Sequence, residues 1–526
     1  MNLNTALLKV QLRAERGEPS VLVKTFVDVG HLFALLSTGD HQVLYGRRGT
    51  GKTHALKFLA ERVRVRGQIA VYVDMRTIGS SGGLYGDTAT PLAERATRLL
   101  MDTFGAIHDA LVDIALSDSV YTDLLPRLDA LADVATDVRV TGGSVERELA
   151  ESATLSEKAA TSMSLGYPVA FKGEDTAATE ETRKREVRRV EKGQETHRVH
   201  FGAASKQLAS LVAALPAGRL WLILDEWSVV PLDLQPFLAD FLKRCVLPVS
   251  GATLKIGAIE HRSRFRAPSA VPGDYIGLEL GADTSANLDL DDFMVANSDP
   301  DRAKAFFRDL LFRHVEAVFA AEGETHPALF NAETLVAAAF TQHNAFDDWV
   351  RAAEGVPRDA VNILSQAAQK AAAEERLSVQ HIRHAALQWY QRDKFPAATA
   401  NTEAAELLNW IVDQVIGGRR ARAFLLKQGE SHPLIDILYD SRVLHVVRRG
   451  VSGGDVAGVR FNVYALDFGC YVHLFNTKKA PSGLFATEDE AGKEVYAEVP
   501  QDDYRSIRRA ILDLSRFERH LQTRGA

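Results

Sequence analysis

The sequence GRRGTGKT, residues 46–53, has the residue types and the spacing of a phosphate-binding loop. The apolar segment VLY precedes it, and HALKFLAERV, which has helical spacing, follows it. Glycines allow the backbone to turn its N–H groups inward at the positive end of the following helix, where they attract the β-phosphate of a nucleotide. The pattern therefore predicts a strand, a loop and a helix that together bind a nucleoside triphosphate.

The residues of this loop have separate expected roles. We expect Lys52 to reach the β- and γ-phosphate oxygens as a mobile positive charge, and Thr53 to bind Mg²⁺. A chance glycine-rich turn before a helix is the alternative, but it does not require every fixed position of the motif to be filled. The predicted nucleotide-binding residues are Gly46, Arg47, Arg48, Gly49, Thr50, Gly51, Lys52, Thr53 and His54.

A pair of acids ends a second apolar segment, RLWLILDEWSVVP, residues 219–231. Its composition predicts a buried strand that ends at Asp225 and Glu226. We expect Asp225 to bind Mg²⁺, and Glu226 to orient and polarise the water that attacks the phosphate. A solvated turn is the alternative. Adjacent acids after a buried strand favour an ATPase that hydrolyses its nucleotide.

The segment TLKIGAIEHRSRFRAP, residues 253–268, predicts another buried strand. With IAVYVDM, residues 69–75, it completes the strand order of P-loop ATPases that carry an additional strand. A polar residue that contacts the γ-phosphate or the water is expected at the tip of this strand. Glu260 lies there, and His261 and Ser263 are the alternatives.

Three arginines follow this strand, at positions 262, 264 and 266. One of them, for which Arg262 and Arg264 are the main candidates, is predicted to act as an arginine finger on the γ-phosphate bound by a neighbouring subunit. Ordinary solvated or acid-paired arginines are the alternative.

Residues 300–395 have helical spacing throughout. Asn331 and Ser378 are predicted N-caps. Pro357 begins a further helix and places Arg358 in its first turn, where a cation opposes the helix dipole unless an anion lies nearby. We expect Arg358 to contact the γ-phosphate from a helical lid. A salt-bridged surface arginine is the alternative.

The C-terminal segment, residues 402–526, predicts helices followed by a β-hairpin, which is the order of a winged-helix domain. Residues 395–403 are predicted to be a linker. Arg448, Arg449 and Arg460 are expected to cluster at the hairpin tip, where they contact DNA phosphates. A protein-binding module is the alternative. The predicted strands are residues 444–449, 459–466 and 470–475, and residues 502–522 are a predicted amphipathic helix.

Together, the loop GRRGTGKT, the segment LILDEW, the lid segment GVPRDA and the C-terminal domain resemble the origin-recognition-complex family of AAA+ ATPases, in particular its bacterial members with a winged-helix domain. The resemblance covers about residues 20–475, apart from a central insertion. It implies an α/β fold, in which a P-loop AAA+ core with a parallel sheet flanked by helices precedes an all-α lid and a C-terminal winged-helix domain. It gives Walker A, Walker B and second-sensor roles to residues 46–53, to Asp225 and Glu226, and to Arg358, with ATP and Mg²⁺ as cofactors.

The expected domains are an ATPase core at residues 1–295, a lid at 296–395 and a winged-helix domain at 402–526. The core contains an insertion at about residues 80–200, predicted to be partly flexible or hairpin-like. The insertion contains the basic run RKREVRR, residues 183–189. This run is either a solvated helix face or an extended hairpin or helix that contacts DNA, a neighbouring subunit or an effector.

The composition limits the class of protein. The chain has 526 residues and a formal net charge of −7, so any basic surface must be local. Cys245 and Cys470 lie far apart in apolar surroundings, which argues against a disulfide framework or a cysteine-bound zinc site. We expect a cytoplasmic protein without a signal peptide or a membrane-spanning segment.

Two functions fit these features. The first is an oligomeric ATPase that works as a nucleotide-dependent switch on double-stranded DNA. The second is a phage-defence ATPase switch that senses a trigger or recruits a protein effector. A protein-unfolding motor fits less well, because no aromatic-glycine pore-loop pattern is evident in the sequence.

Overall fold

The computed structural model describes most of the chain. The described residues are 1–10, 19–78, 85–135, 138–140, 146–150, 188–192, 195–197, 201–269, 272–285, 287–291, 300–372, 375–417, 423–429, 432–452, 458–472, 487–488, 494–495 and 511–524.

A five-stranded parallel sheet forms the first layer of the fold. Its strands lie in the order β5-β1-β4-β3-β2, and each neighbouring pair is parallel. All residues of the strands β3 and β4 are buried, because helices cover both faces of the sheet. The predicted α/β fold class is confirmed. The strands are β1 Gln42–Tyr45, β2 Ile69–Asp74, β3 Leu220–Asp225, β4 Ala252–Ala258 and β5 Leu288–Asp289.

Helices pack on each face of this sheet. The helices α3 and α4 share an apolar core with one face. The helices α5 to α8 share a second apolar core with the other face. The helices are α1 Leu3–Lys9, α2 Pro19–Thr25, α3 Leu32–Leu36, α4 Lys52–Val65, α5 Leu92–Ser117, α6 Leu125–Ala135, α7 Phe201–Ala214 and α8 Gln235–Cys245.

The predicted insertion begins with α5 and α6 and continues into antiparallel pairs of strands. Val138–Val140 pairs with Glu195–His197, and Glu146–Ala150 pairs with Arg188–Lys192. The last two residues of the basic run therefore begin a strand. Residues 183–187, the rest of that run, lie outside the described residues.

The lid consists of helices, as its sequence predicts. Both predicted N-caps are confirmed: Asn331 Oδ1 accepts a hydrogen bond of 2.8 Å from the backbone N–H of Thr334, and Ser378 Oγ accepts one of 3.2 Å from that of His381. The N-terminal helix α1 shares the apolar core of the lid. The lid helices are α9 Pro300–Ala321, α10 Ala332–Ala339, α11 His343–Ala353, α12 Pro357–Lys370 and α13 Val379–Trp389.

Most of the linker predicted at residues 395–403 is helical in the structure. A π-helical turn, Tyr390–Lys394, leads into the helix α14, Phe395–Thr399. Ala398 is fully buried, and one continuous apolar core joins the lid to the C-terminal domain. Burial of Ala398 in this core fixes the segment between the two domains.

The C-terminal domain has helices around a three-stranded antiparallel sheet of order β6-β8-β7. The strand β8 is its centre and forms a hairpin with β7. The elements are α15 Thr402–Ile411, β6 Ala423–Lys427, α16 Pro433–Asp440, β7 Leu444–Ser452, β8 Arg460–Leu466, α17 Phe468–Tyr471 and α18 Leu514–Arg524.

Two details of the predicted C-terminal domain are wrong. The third strand is β6, and the segment predicted as a strand from residue 470 begins in the helix α17. The side chain of Asp467 accepts a hydrogen bond of 3.0 Å from the backbone N–H of Gly469 and so starts this helix directly after β8. Of the predicted tail helix, residues 502–510 lie outside the described residues, the helix α18 covers Leu514–Arg524, and Phe517 anchors it against Trp410.

Among the helices that the structure describes, none has both the length and the apolar composition needed to cross a bilayer. Cys245 and Cys470 are both buried and unpaired.

Candidate nucleotide-binding site

A cavity of about 340 Å³ lies between the P-loop, the helix α2 and the lid. One end is polar and the other is apolar, as a site for a nucleotide requires. The polar lining residues include Arg48, Thr50, Lys52, Thr53, Arg76, Glu226 and Arg358. The apolar lining residues include Val21, Leu22, Phe26, Phe306, Leu310 and Val361.

The P-loop passes directly under the lid. Gly49 has a φ of 88°, in the left-handed region that glycine adopts most readily. A Cβ at this position would lie only 2.8 Å from the Cβ of Arg358. The backbone N–H of Arg358 donates a hydrogen bond of 3.2 Å to the Gly49 carbonyl. A glycine is therefore required where α12 meets the loop.

Lys52 lies within the P-loop. Its Nζ donates hydrogen bonds to the carbonyl oxygens of Gly46, at 2.7 Å, and Arg47, at 3.1 Å. The side chain is buried, and this burial lowers the pKa of the Lys52 ammonium despite the opposing effect of Asp225. A phosphate entering the cavity would give this ammonium an anionic partner.

Asp225, at the end of β3, is the centre of a hydrogen-bond group. Its Oδ2 accepts bonds from Thr53 Oγ1, at 2.6 Å, and from the Tyr72 hydroxyl, at 2.7 Å. Its Oδ1 accepts from the backbone N–H of Glu226, at 2.8 Å. A threonine hydroxyl and a carboxylate are oxygen donors of the kind that Mg²⁺ prefers. The residues predicted to hold this ion are therefore adjacent and chemically suited to it.

Glu226 lines the same cavity. Its φ of 58° is a left-handed conformation, which a glutamate adopts at a cost and which is common at functional sites. Burial, together with the charge of Asp225, raises the pKa of Glu226. Arg76 Nη1 lies 3.9 Å from Glu226 Oε1 and acts in the opposite direction. A raised carboxylate pKa suits a group that accepts a proton from water.

The predicted binding residues of the P-loop do not all face the cavity. Arg48 and His54 line it, and His54 Nε2 lies 2.8 Å from the Leu22 carbonyl oxygen. Arg47 instead points into the interior, where its Nε donates a hydrogen bond of 2.8 Å to Asp291 Oδ1. The prediction that Arg47 binds nucleotide does not extend to its side chain, because the guanidinium is buried and lies outside the cavity lining.

Arg358, the predicted second sensor, lines the cavity beside the P-loop. The three candidates for a first sensor lie elsewhere. Arg449 Nη2 donates to Glu260 Oε2 at 2.7 Å, His261 Nδ1 lies 3.3 Å from Asp436 Oδ1, and Ser263 Oγ donates to the Ile259 carbonyl at 2.7 Å.

Beside Asp225, the neighbouring strand β4 contributes Gly257. A Cβ on Gly257 would lie 2.5 Å from Asp225 Oδ1. The position on β4 closest to the acids therefore has no room for a polar side chain.

The three arginines after β4 have different surroundings. Arg262 forms an ion pair with Asp440 of α16, and Arg266 Nη1 lies 3.3 Å from Glu279 Oε1. The Arg264 side chain is exposed, and within the described part of the chain no carboxylate lies within ion-pair distance of it. Only its backbone N–H, which donates to Gln235 Oε1 at 2.6 Å, is fixed.

The predicted cluster of arginines at the C-terminal hairpin tip is wrong for Arg449. This residue points toward the parallel sheet, where it binds Glu260 and lies 3.3 Å from Asp289 Oδ2. Arg460 is exposed opposite Ser452, and its Nη1 donates to the Gly450 carbonyl at 3.1 Å. The twist and register shifts of β7 separate the two side chains.

Sequence reasoning did not identify the apolar end of the cavity. Helix α2 supplies Leu22, and Phe26 follows it directly, while α9 supplies His314. The apolar run VLVKTFV before the first strand was an available signal. The lid residues gave none, because helical spacing alone does not show which residue of a helix faces a ligand.

The segment that contains the P-loop is similar to a known family. A family model described as ORC-CDC6-like matches residues 11–76. Two solved structures each align with 88% of this chain over 93% of their own length: an Aeropyrum pernix ORC1 protein in complex with DNA, at 15% identity and a TM-score of 0.32, and Cdc6p from Pyrobaculum aerophilum, at 12% and 0.30. No curated protein matches the chain.

The sequence match, rather than the two structures, carries the family resemblance. The matched residues contain the cavity-lining helix α2, the strands β1 and β2, the P-loop and the helix α4. In this segment the chain resembles the ORC-CDC6-like AAA+ ATPases.

Proposed function

We propose that this protein binds and hydrolyses ATP and works as an oligomeric, nucleotide-dependent switch on DNA. The observation that carries the ATPase proposal is the hydrogen bond of 2.6 Å between Thr53 and Asp225. It brings the ends of the two predicted motifs together, in the cavity that Lys52, Glu226 and Arg358 also line.

The chain's own residues divide the work of hydrolysis. When bound, Mg²⁺ neutralises charge on the phosphates, and Thr53 and Asp225 would hold it. Lys52 binds phosphate oxygens. Glu226 orients water and accepts its proton as the water oxygen attacks the γ-phosphorus. The bond between the γ-phosphorus and the β-γ bridging oxygen breaks in the same step. Arg358 balances negative charge on the γ-phosphate from the lid side.

The apolar end of the cavity suits the base of the nucleotide. Leu22 and Phe26 border it from one side, and Phe306 and Leu310 of the lid border it from another. Since both the lid and the P-loop contact one ligand in this arrangement, nucleotide binding would draw them together. That coupling is what makes a nucleotide-dependent switch.

Assembly would complete the site. Arg264 is exposed on the loop after β4, whereas Arg262 and Arg266 are paired with carboxylates of their own chain. We assign the role of arginine finger to Arg264, which would reach the γ-phosphate on an adjacent subunit.

Two variants test the ATPase proposal. Lys52→Ala should abolish ATP binding because the phosphates lose their main cation, while Glu226→Gln should retain binding and lose turnover by roughly 10²- to 10⁴-fold. Binding is measured by titration with a fluorescent ATP analogue, and turnover by phosphate release. Wild-type turnover in the Glu226→Gln protein would exclude this glutamate as the base.

The DNA part of the proposal rests on the family resemblance and on the helix and hairpin order of the C-terminal domain. Arg460 is exposed on the hairpin, whereas Arg449 is bound to Glu260. In a salt series of duplex binding, Arg460→Ala should reduce the log–log salt slope by about one unit, and Arg449→Ala should leave it unchanged. Absence of duplex binding by the wild-type protein would favour the partner-recruiting switch.

A further inference from the structure

The side of the P-loop that faces away from the cavity is held by the rest of the protein. Arg47, the second residue of the loop, is only 1% exposed. Asp291, just after β5, accepts from its backbone N–H at 2.9 Å and from its Nε at 2.8 Å. Burial disfavours the charged guanidinium, but Asp291, together with Tyr439 and Asp359, outweighs this effect and raises the pKa of Arg47. The loop is therefore fixed at both its backbone and a side chain.

The same guanidinium contacts the lid and the C-terminal domain. Arg47 Nη2 donates to the Glu354 carbonyl at 3.3 Å, and Arg47 Nη1 donates to His445 Nδ1. The ring of Tyr439 lies 5.4 Å from the guanidinium carbon, and its hydroxyl donates to Asp291 Oδ2 at 3.2 Å. One residue of the P-loop thus touches three parts of the fold.

His445 continues this contact through the interior. Because Nδ1 accepts from Arg47, Nε2 carries the proton and donates to Asp467 Oδ2, at 3.0 Å. Lys394 Nζ lies 2.6 Å from Asp467 and 2.9 Å from Asp359, which is adjacent in sequence to the cavity residue Arg358. The network starts at the P-loop, crosses the C-terminal domain and returns to the lid helix at the cavity.

We propose that Arg47 is a positioning residue through which docking of the C-terminal domain sets the affinity of the P-loop for nucleotide. The C-terminal domain supplies no lining residue of the cavity among those the structure describes, so its effect would pass through Arg47. This inference rests on the proposed function, since it assumes that the cavity binds ATP.

Two physical reasons support the direction of the effect. If the C-terminal domain moved away, a donor of the buried Arg47 guanidinium would lose its acceptor His445, and a buried donor without a partner costs free energy, so the loop is most stable in this position when the domain is docked. Binding free energies are also linked reciprocally: if docking of the domain strengthens ATP binding, ATP must strengthen docking by the same factor.

The experiment uses the full chain with Arg47→Met and His445→Ala. Each should weaken binding of a fluorescent ATP analogue by roughly 5- to 150-fold, the range of typical coupling between sites. Hydrogen exchange gives the second readout. In the wild type, ATP should slow exchange in Pro433–Asp440 and Leu444–Ser452, and Arg47→Met should abolish this protection.

Matched controls separate coupling from damage. His520→Ala alters a histidine of the same domain that packs on Trp410, and ATP affinity should not change. Arg48→Met alters the neighbouring, cavity-lining arginine; it should weaken ATP binding but leave protection of the C-terminal segments at saturating ATP. If Arg47→Met does not fold, Arg47→Lys, which keeps the charge but loses the planar fork, replaces it.

The outcomes distinguish this inference from the proposed function. No ATP binding by the wild type would overturn both. Wild-type ATP binding that is lost in Lys52→Ala but unchanged in Arg47→Met and His445→Ala would overturn only the coupling. If the two variants instead bind ATP more weakly while saturating ATP still protects the C-terminal segments from exchange, Arg47 only supports the loop locally. In that case the coupling would also be overturned.

Discussion

Two loops leave neighbouring strands at the same edge of the central sheet, and their surroundings differ. The P-loop follows β1 and opens on the cavity, where Lys52 and Thr53 lie. The turn Glu260–Arg262 follows β4 and is bound to the C-terminal domain through Arg449 and Asp440. Both loops carry the polar residues that phosphate chemistry requires.

The difference shows what a sheet edge determines. Parallel strands place the residues that follow them near one another, and this puts Asp225 beside Thr53. The edge does not determine which loop remains open to a ligand. A domain that packs on one loop forms ion pairs with the charged side chains of that loop. The charged side chains of the other loop then stay available to a ligand.

The variant with the strongest predicted loss of turnover lies in the loop after β4. Arg264→Ala should lower turnover by about 10³-fold or more, the range for an arginine finger, while ATP binding persists. Arg266→Ala, a change of an arginine already paired with Glu279, is the matched control and should keep most of the activity. Phosphate release across a protein dilution series measures both.

Mixing tests whether Arg264 acts on a neighbouring subunit. A mixture of Arg264→Ala and Lys52→Ala proteins should regain activity, because an interface can then combine an intact finger with an intact P-loop. Equal losses of turnover in Arg264→Ala and Arg266→Ala, without rescue on mixing, would show that Arg264 does not act on a neighbouring subunit.

A weaker loss is predicted in the P-loop, at Gly49. Gly49→Ala should weaken ATP binding and lower stability by roughly 1–3 kcal/mol, since the residue has a left-handed φ and would contact Arg358. Gly67→Ala, at a φ of 71° with open space around it, carries the backbone strain alone and should leave ATP binding unchanged. Thermal unfolding and ATP titration compare the two variants.

A pH effect should appear at the apolar end of the cavity. Burial, with a smaller effect of His54, lowers the pKa of His314 to about 4. The unfolded chain therefore takes up this proton at higher pH than the folded protein. The stability that neutral His314 contributes is complete above about pH 6.5 and is lost as the pH falls toward 4.

The expected loss from His314 is about 1 kcal/mol between pH 7 and pH 5.5. Urea unfolding without nucleotide at several pH values measures it. His314→Gln should remove this part of the pH dependence, and His343→Gln, a change at an exposed position of α11, should preserve it. The same pH dependence in all three proteins would contradict the assignment.

The smallest effect concerns the ion pair between Arg449 and Glu260 on the loop after β4, and the buried pair of Arg47 with Asp291 gives the contrast. Arg449→Ala should change the free energy of unfolding by only about 0–1 kcal/mol, since the pair with Glu260 is partly exposed. Asp291→Ala, which leaves Arg47 buried without its partner, should cost about 3–5 kcal/mol. Similar losses of unfolding free energy for Arg449→Ala and Asp291→Ala in urea would show that the partly exposed pair and the buried pair do not differ in their contribution.

The sequence by itself determined the parts of this protein that depend on neighbours along the chain. The P-loop, its strand and its helix lie within a short segment, and local glycine conformations and helical spacing specify them. The start of α12 at Pro357, which places Arg358 in the first turn, was predictable for the same reason. Long apolar runs also indicated the buried strands β3 and β4.

Only the tertiary structure decided where the charged side chains point. Arg47 meets Asp291 and His445 across 244 and 398 residues, and the pairing of Glu260 with Arg449 spans 189. An arginine in a sequence fits a phosphate, a carboxylate or solvent equally well. Which partner it takes depends on the charge that packing brings next to it, and burial then makes that choice costly to reverse.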